Sequence, residues 1–192
     1  MVDIRSVGVI GAGQMGSGIA QVAAQGGYDV LLHDISREKI DAAIAGIGAA
    51  LARQVSRGQI DQTAMDEALS RIRPADGLEA IGGALGRLLG DGHDLICVSG
   101  GLGPTHDDLT MEAVGRATGR PLALDERALG LVAARSRSIQ GDPSILAALR
   151  EKQAMLPLGS VMLPPPGTAP GCIVRHGGTT VVVLPGPPWE LE

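Results

Sequence analysis

Three glycines near the start of the chain follow the spacing Gly-x-Gly-x-x-Gly, at Gly11, Gly13 and Gly16. This spacing is typical of a turn that leads from a strand into a helix and binds a pyrophosphate. Glycine at the first position permits a tight turn, at the second lets the backbone approach the phosphates, and at the third lets helix and strand pack closely. Gln14 and Met15 lie within this turn, and the helix that follows directs its first N–H groups and positive dipole end at the phosphates. Together these five residues form the first candidate cofactor-binding site.

An acidic residue, Asp34, lies about 20 residues beyond this turn, at the end of the next apolar run. A carboxylate in that position accepts hydrogen bonds from both hydroxyl groups of the adenosine ribose and repels a 2′-phosphate. The sequence therefore predicts that NAD is bound in preference to NADP. The pattern leaves one alternative open, a tight strand-to-helix turn without a cofactor.

A second glycine-rich stretch, SGGLGPTHDD, covers residues 99–108 and directly follows another apolar run. Its glycines allow backbone N–H groups to converge on an anion. The candidate phosphate-binding residues are Gly100, Gly101, Gly103 and Thr105. Asp107 and Asp108 add two neighbouring carboxylates, which beside bound phosphates suit Mg²⁺. The alternative is a turn in which Asp108 caps the next helix, and Asp108 is able to serve both roles.

The segment VGVIGAGQMGSGIA at residues 7–20 resembles the start of the 3-hydroxyacyl-CoA dehydrogenase family. The likeness continues through residues 34–36 and 71–74 to about Ala80, and it implies a Rossmann-like, NAD-binding half over residues 1–80. In that family a catalytic histidine lies in an Asn-Pro-containing stretch, pairs with a glutamate, and is joined by a helical domain. The histidines of this chain, none of which has that context, are His33, His93, His106 and His176. We therefore expect no dehydrogenase activity, even where NAD binds.

The stretch GGLGPTHDDLT at residues 100–110 resembles the CinA family (competence/damage-inducible protein A), in its molybdopterin-binding-like domain. Three shorter stretches extend the likeness over about residues 81–190: KQA before Leu156-Pro157, GTAPG at 167–171, and LPGPP at 184–188. Such domains bind molybdopterin or nucleotide-like ligands. In CinA proteins the domain is linked to metal-dependent ADP-ribose pyrophosphatase activity.

This second resemblance also implies roles for individual residues. Asp107 and Asp108 would hold the metal, the backbone of residues 100–105 would hold the phosphates, and Lys152 would balance charge. The alternative for Lys152 is an exposed helix lysine without a role in binding. The proline-rich stretch at residues 184–188 is expected to form a rigid loop that closes the site.

The two resemblances meet inside one pattern of elements. CinA proteins carry a Gly-Thr-Glu-Leu-Leu stretch after their first strand, where this chain has the dehydrogenase-like turn. The likeness changes between Gly77 and Gly83, within a predicted helix, at equivalent points of the two patterns. We therefore expect residues 1–80 and 81–192 to form one merged domain, an engineered or recombined chimera. Three functions stay open: a nucleotide-binding protein with Mg²⁺-dependent ADP-ribose pyrophosphatase activity, a simple NAD-binding module, and a scaffold without catalysis.

The predicted fold class is α/β, with three layers and a mostly parallel sheet that has helices on both faces. Apolar runs predict strands at residues 6–10, 29–33 and 94–98, and a terminal hairpin at 172–175 and 179–184. Helical periodicity predicts helices at residues 17–25, from Ser36, at 63–72 before Pro74, from Leu78, at 109–117 and 126–136, and from Pro143 to about Met155.

Composition narrows the classes of partner. The 192 residues include one Trp, one Tyr and no Phe, and the net charge is -5, so nucleic acid is an unsuitable partner and a small nucleotide ligand fits better. No run approaches the roughly 18 apolar residues of a membrane span. Cys97 and Cys172 lie in apolar runs without metal-ligand spacing, which favours buried free thiols. We expect a cytoplasmic protein, and the sequence leaves a homo-oligomer open.

Overall fold

The computed structural model describes residues 4–75, 81–165 and 167–186. The change in resemblance at Gly77 and the end of the proline-rich stretch, from Pro187, lie outside these residues. The described strands are β1 Ser6–Ile10, β2 Asp29–His33, β3 Ile72–Pro74, β4 Leu95–Ser99, β5 Leu122–Leu124, β6 Met155–Pro157, β7 Val161–Leu163, β8 Gly171–His176 and β9 Thr179–Leu184. The described helices are α1 Gln14–Gln25, α2 Arg37–Ser56, α3 Gln62–Arg71, α4 Ile81–Gly90, α5 Thr110–Ala117, α6 Glu126–Arg135 and α7 Pro143–Gln153.

One seven-stranded sheet runs through the domain in the order β3-β2-β1-β4-β9-β8-β7. The first five strands in this order pair in parallel, and β8 and β7 add an antiparallel edge. Strands β5 and β6 form a separate antiparallel pair. The predicted terminal hairpin is confirmed, since β8 and β9 pair around Gly177, whose φ of 58° suits glycine.

Helices lie on both faces of this sheet, and each face has its own core. Side chains alternate along a strand, so in β4 Ile96 and Val98 face one core whereas Cys97 faces the other. Helices α1, α2 and α3 pack together on the Cys97 face, and α4 packs against α5 on the opposite side. The predicted three-layer α/β architecture is therefore confirmed.

Two predicted helices end earlier than their periodicity indicates. The helix predicted at residues 63–72 ends at Arg71, and the chain continues into strand β3 with Pro74. Proline is tolerated there because β3 lies at the edge of the sheet. The helix predicted to reach Met155 ends at Gln153, since Met155 already pairs with Leu124 in the small sheet. In both cases strand pairing replaces the last helical residues.

Both cysteines are buried and free, as the sequence predicts. Burial raises the pKa of the Cys97 thiol to about 11. It raises the pKa of the Cys172 thiol to about 12, although a hydrogen bond with Ser160 acts in the opposite direction. Both thiols therefore stay protonated at neutral pH. Within the described ranges, no helix has the length and apolar character that crossing a membrane requires.

Candidate functional site

The two glycine-rich stretches lie side by side at one edge of the sheet. Strands β1 and β4 are parallel neighbours with Ile10 opposite Val98, so the turns that follow them leave the same edge. From β1 the chain proceeds to β2 on one side, whereas β9 flanks β4 on the other side. The strand order therefore reverses between β1 and β4, and open α/β sheets bind ligands at such a switch point. We name residues 11–16 the first loop and residues 99–108 the second loop.

The first loop is shaped by the absence of side chains. Gly11 has a φ of 102°, and its N–H donates to the carbonyl oxygen of His33 over 2.8 Å. A Cβ built on Gly11 would lie 2.5 Å from the carbonyl oxygen of Ser99, so the two loops touch through backbone. A Cβ built on Gly16 would overlap the carbonyl oxygen of Gly11. Glycine is therefore required at both positions.

The start of α1 has open space beside it. Gly13 is the N-cap residue, and a Cβ built on it would meet no described atom within 4 Å. Because glycine contributes no capping side chain, the first N–H groups of α1 remain available to an anion. The side chains of Gln14 and Met15 line a separate apolar groove. Only the backbone of these two predicted residues is therefore left to contact a ligand between the loops.

Asp34 is bound to the first loop. Its Oδ2 accepts the N–H of Ala12 at 2.8 Å, and its Oδ1 lies 3.8 Å from the ammonium of Lys39. Only 12% of the Asp34 side chain is exposed. A cavity of about 160 Å³ beside it is lined by residues of both loops, including Gly11, Ser99 and Gly100, and by Lys39. The structure thus brings Asp34 and the two loops to one cavity.

Side-chain hydrogen bonds shape the second loop. The Oδ2 of Asp108 accepts the backbone N–H of Thr105 at 3.0 Å and its hydroxyl at 2.6 Å. The ammonium of Lys152 donates to the carbonyl oxygen of Thr105. Thr110 is fully buried, and its hydroxyl donates to the carbonyl oxygen of Gly100 at 2.8 Å. These bonds hold the loop in one conformation.

The ionisation of Asp108 reflects this position. Partial burial raises the pKa of the carboxyl, but hydrogen bonds from Thr105 and Gly103 and the charge of Lys152 outweigh it and lower the pKa below its usual range. The carboxylate is therefore the stable form at neutral pH. Protonation of Asp108 would weaken these contacts, because they stabilise the charged form.

The two aspartates of the second loop have different surroundings. The Asp107 side chain is 83% exposed, and its Oδ1 lies 3.2 Å from Nε2 of the equally exposed His106. Asp108 instead points into its own loop. Among the residues that the structure describes, no group of three or more His, Cys, Asp or Glu side chains is placed to hold a metal ion. The donor set therefore fits a resident Mg²⁺ poorly.

Two further cavities adjoin the second loop. One of about 140 Å³ is lined by Gly101, Gly103, Asp108, Glu112 and Lys152, among others. Its neighbour, of about 260 Å³, is bordered by Gly100 and by Pro185 and Gly186 of the proline-rich stretch. The described part of that stretch thus borders the site.

Sequence reasoning missed three contributors to the site. Lys39 and Glu112 lie on amphipathic helices, where a charged residue ordinarily indicates only an exposed face. Thr110 falls inside the quoted motif, but its bond to Gly100 depends on how the loop folds back onto α5. Of the three, only Thr110 could have been found from the sequence, because it lies two residues after Asp108 within the motif.

The strand order and the paired loops define an α/β domain of the doubly wound type. A family model described as "Probable molybdopterin binding domain" matches residues 48–192, which is more than half of the chain. The chain therefore belongs to this family of molybdopterin-binding domains. A second model, "3-hydroxyacyl-CoA dehydrogenase, NAD binding domain", matches residues 6–85. Both predicted resemblances are thereby confirmed.

Individual relatives agree with the second resemblance. The CinA-like protein of Mycolicibacterium vanbaalenii is 52% identical over 127 residues, which are 62% of this chain and 28% of the relative. The CinA-like protein of Mycobacterium tuberculosis is 45% identical over 128 residues, which are 62% of this chain and 29% of the relative. This chain thus spans less than a third of the length of these relatives.

A solved structure supports the fold over the whole chain. The crystal structure of the protein CinA with unknown function from Thermoplasma acidophilum superposes with a TM-score of 0.57 at 27% identity. The match covers 97% of this chain and 92% of that chain. The dehydrogenase-like first half is therefore compatible with the overall arrangement of a CinA structure.

Proposed function

We propose that this protein binds a ligand with an adenosine pyrophosphate, of the NAD or ADP-ribose type, between the first and second loops. The observation that carries the proposal is the placement of these loops. They follow neighbouring parallel strands, and residues of both line one cavity beside Asp34. A crevice of this kind, at the carboxyl ends of the strands, is the usual ligand site of open α/β sheets.

Asp34 would receive the adenosine ribose. Its Oδ2 is engaged by the Ala12 N–H, which fixes the carboxylate and leaves Oδ1 for a ribose hydroxyl. Lys39 lies 3.8 Å from this Oδ1 and offsets part of the negative charge. The preference for NAD over NADP should therefore hold but stay moderate, since a 2′-phosphate meets a lysine as well as a carboxylate.

The pyrophosphate would lie against the start of α1. The first N–H groups of the helix and its positive dipole end suit an anion. The open space at Gly13 leaves room for the phosphates, and Gly11 and Gly100 border the cavity beside Asp34. In the second loop the N–H of Gly100 already donates to the carbonyl oxygen of Leu184, and that of Thr105 to Asp108, so the start of α1 would supply most of the N–H groups for the pyrophosphate.

Binding is tested by thermal denaturation with NAD, NADP and ADP-ribose. A ligand that binds only the folded state stabilises it by about 2.7 kcal/mol at a hundredfold excess over Kd. Gly13→Val should abolish the response to NAD while leaving the free protein folded, because the valine fills the space of the phosphates. Gly46→Val is the matched control, since Gly46 is also an exposed helix-associated glycine with no described atom within 4 Å of an added Cβ.

The outcomes separate the three functions left open by the sequence. A response to NAD that Gly13→Val abolishes and Gly46→Val keeps supports the crevice. A response that survives Gly13→Val places the ligand elsewhere and contradicts the proposal. If none of the three nucleotides stabilises the protein, the remaining hypothesis is a scaffold that has neither a nucleotide ligand nor catalytic activity.

Hydrolysis of ADP-ribose with Mg²⁺ is the finer proposal, and it is supported by the resemblance of residues 100–110 to CinA. Mg²⁺ often binds through one or two carboxylates together with substrate phosphates. However, Oδ2 of Asp108 is already engaged by Thr105, and Asp107 faces away from the loop. Release of AMP from ADP-ribose, with and without Mg²⁺, tests the activity directly. Loss of Mg²⁺-dependent release in Asp108→Asn but not in Asp107→Asn would support it, whereas intact ADP-ribose would restrict the function to binding.

Membership of the molybdopterin-binding family supports a second ligand class for the same region. The cavity of about 140 Å³ next to the second loop presents Lys152 to an anion, and Glu112 and Asp108 to N–H donors. A pterin that carries a phosphate combines these two features. Competition between such a pterin and ADP-ribose would show whether they share the second loop.

A further inference from the structure

Glu112 places a carboxylate without a hydrogen-bond donor in the cavity of about 140 Å³ beside the second loop. We name this space, which is lined by Gly101, Asp108, Met111, Glu112 and Lys152 among others, the Glu112 cavity. The Oε2 of Glu112 is buried, and no described residue donates a hydrogen bond to it. Such an atom loses its hydration without compensation, so buried carboxylate oxygens ordinarily accept hydrogen bonds. An N–H group of a ligand would supply the donor.

The other charged groups of the Glu112 cavity already have partners within the second loop. The Oδ2 of Asp108 accepts the N–H and the hydroxyl of Thr105, and the ammonium of Lys152 donates to the carbonyl oxygen of Thr105. Two carboxylates and one ammonium give the described lining a net negative charge. The cavity therefore suits a group that carries N–H donors and is neutral or positively charged.

Apolar side chains form other walls of the Glu112 cavity. Met111, Leu122 and Met155 line it from α5, β5 and β6. Methionine side chains adapt their shape to a neighbour and make favourable contacts with aromatic rings. A flat ring with an N–H group on its edge would therefore contact these apolar walls and the Glu112 carboxylate together.

The Glu112 cavity adjoins the cavity beside Asp34. Among the described lining residues, Gly101 is the one that borders both. The cavity of about 260 Å³ is lined by Gly100, which it shares with the Asp34 side, and by Asp108, which it shares with the Glu112 side. Gly101 has a φ of 68°, and a Cβ built on it would collide with the hydroxyl of Thr110. Since a glycine borders both spaces, an elongated ligand is able to extend from one to the other.

We propose that Glu112 is a specificity-determining residue that selects the nicotinamide end of NAD. The inference rests on the proposed function, in which Asp34 receives the adenosine ribose. From there the ligand would extend over Gly101, so that its nicotinamide ring lies against Met111 and Met155. The carboxamide N–H of the ring would donate to Glu112. The whole dinucleotide, rather than ADP-ribose, is then the preferred ligand.

Charge distinguishes the oxidised from the reduced dinucleotide in the same cavity. The nicotinamide ring of NAD⁺ carries a positive charge, which NADH and ADP-ribose lack. The described lining carries one more carboxylate than ammonium groups. Attraction between opposite charges is stronger in a partly dehydrated cavity than in water. NAD⁺ should therefore bind more tightly than either of the other two nucleotides.

Titration calorimetry of the full chain with NAD⁺, NADH and ADP-ribose tests this proposal. We expect the wild type to bind NAD⁺ at least about 10-fold more tightly than ADP-ribose, because hydrogen bonds to charged groups are the stronger class. In Glu112→Gln this advantage should fall to about threefold, while the affinity for ADP-ribose stays unchanged. Glu67→Gln is the matched control, since Glu67 is exposed on α3 and does not line these cavities.

The urea midpoint of the free protein tests the carboxylate without any ligand. Glu112→Gln should leave the midpoint unchanged or raise it, because no described donor to Oε2 is lost. A lower midpoint would show that the carboxylate already has a partner in the free protein, and would overturn the proposal.

The binding outcomes separate this proposal from the proposed function. An NAD⁺ advantage that is reduced in Glu112→Gln and kept in Glu67→Gln supports the role of Glu112. Equal affinity of the wild type for NAD⁺ and ADP-ribose overturns that role but leaves nucleotide binding at Asp34 intact. Loss of affinity for ADP-ribose in Glu112→Gln would indicate a structural role and overturns the proposal as well. Absence of binding by all three nucleotides overturns both the role of Glu112 and the proposed function.

Discussion

The first and second loops occupy equivalent places after neighbouring strands, yet they are held by opposite means. In the first loop, missing side chains allow backbone to touch backbone, at Gly16 against Gly11 and at Gly11 against Ser99. In the second loop, side chains of Asp108 and Thr110 make the decisive hydrogen bonds. Adding a methyl group should therefore damage the first loop most, whereas removing a polar group should damage the second.

The comparison also explains the different specificity of the two patterns. A loop whose shape depends on backbone packed against backbone presents mainly N–H groups to a ligand, since few side chains reach it. A loop made by side chains places charges such as Asp108 and Lys152 beside the ligand. In the proposed function, the first loop would supply general anion binding and the second would supply distinct chemical groups.

The largest expected effect is that of Gly16→Ala. The added Cβ would overlap the Gly11 carbonyl oxygen, and neither backbone segment is a flexible side-chain end that moves away cheaply. We expect a loss of more than about 3 kcal/mol in the free energy of unfolding, measured with urea. Gly46→Ala, in an exposed part of α2 with no described atom near its added Cβ, should be neutral or stabilising by up to about 1 kcal/mol. If the two substitutions changed the free energy of unfolding equally, steric overlap at Gly16 would not explain the conformation of the first loop.

A smaller loss is expected for Asp108→Ala in the second loop. The change removes the acceptor of the N–H and hydroxyl of the exposed Thr105, which costs about 0.5–1.5 kcal/mol by urea unfolding. Asp107→Ala, which removes an exposed carboxylate at the next position, should change stability by less than about 0.5 kcal/mol. A comparable loss in both variants would mean that charge, rather than hydrogen bonding, holds the loop.

Thr110→Val probes the same loop at a buried position. Valine nearly matches threonine in volume but cannot donate to the Gly100 carbonyl oxygen, so we expect a loss of about 1 kcal/mol. Thr63→Val gives the reference value for the same change on an exposed helix position. An unchanged unfolding midpoint in Thr110→Val would show that the bond adds nothing to the stability of the second loop.

The smallest expected effect is the dependence on pH of the stability that Asp108 contributes. The folded state lowers the pKa of Asp108, so the stability that this group contributes is present above its ordinary pKa of about 4 and is lost as pH falls through the lower, folded value. The difference in urea midpoint between wild type and Asp108→Asn should therefore shrink below about pH 4. A difference that stays constant from neutral to acid pH would contradict the assigned role of the carboxylate.

Much of the fold could be predicted because its signals are local. The apolar runs of β1, β2 and β4 and the helical spacing in α2 depend on neighbours within one element. The edge strand at Ile72 and the small sheet at Met155 could not be predicted, since each depends on a partner far along the chain, Val30 and Leu124 respectively. The helical periodicity before each segment extends the predicted helix into its first residue, and strand pairing overrides it.

The candidate site divides in the same way. Spacing was sufficient to propose Gly11, Gly13 and Gly16, because their roles follow from the turn itself. It was not sufficient for Asp107 and Asp108, which are adjacent in sequence yet face solvent and loop respectively. Lys39 lies near Asp34 because the first turn of α2 places it there. No local sequence pattern predicts that contact.

The backbone contact between Gly11 and Ser99 has a consequence for inheritance. Gly11 belongs to the dehydrogenase-like part of the chain and Ser99 to the CinA-like part, yet a side chain at the first would collide with the second. Neither half can then be exchanged freely between relatives, because an incoming first half must bring a glycine wherever the second half brings its strand this close. Any first half that is joined to this second half therefore needs a residue without a Cβ at position 11.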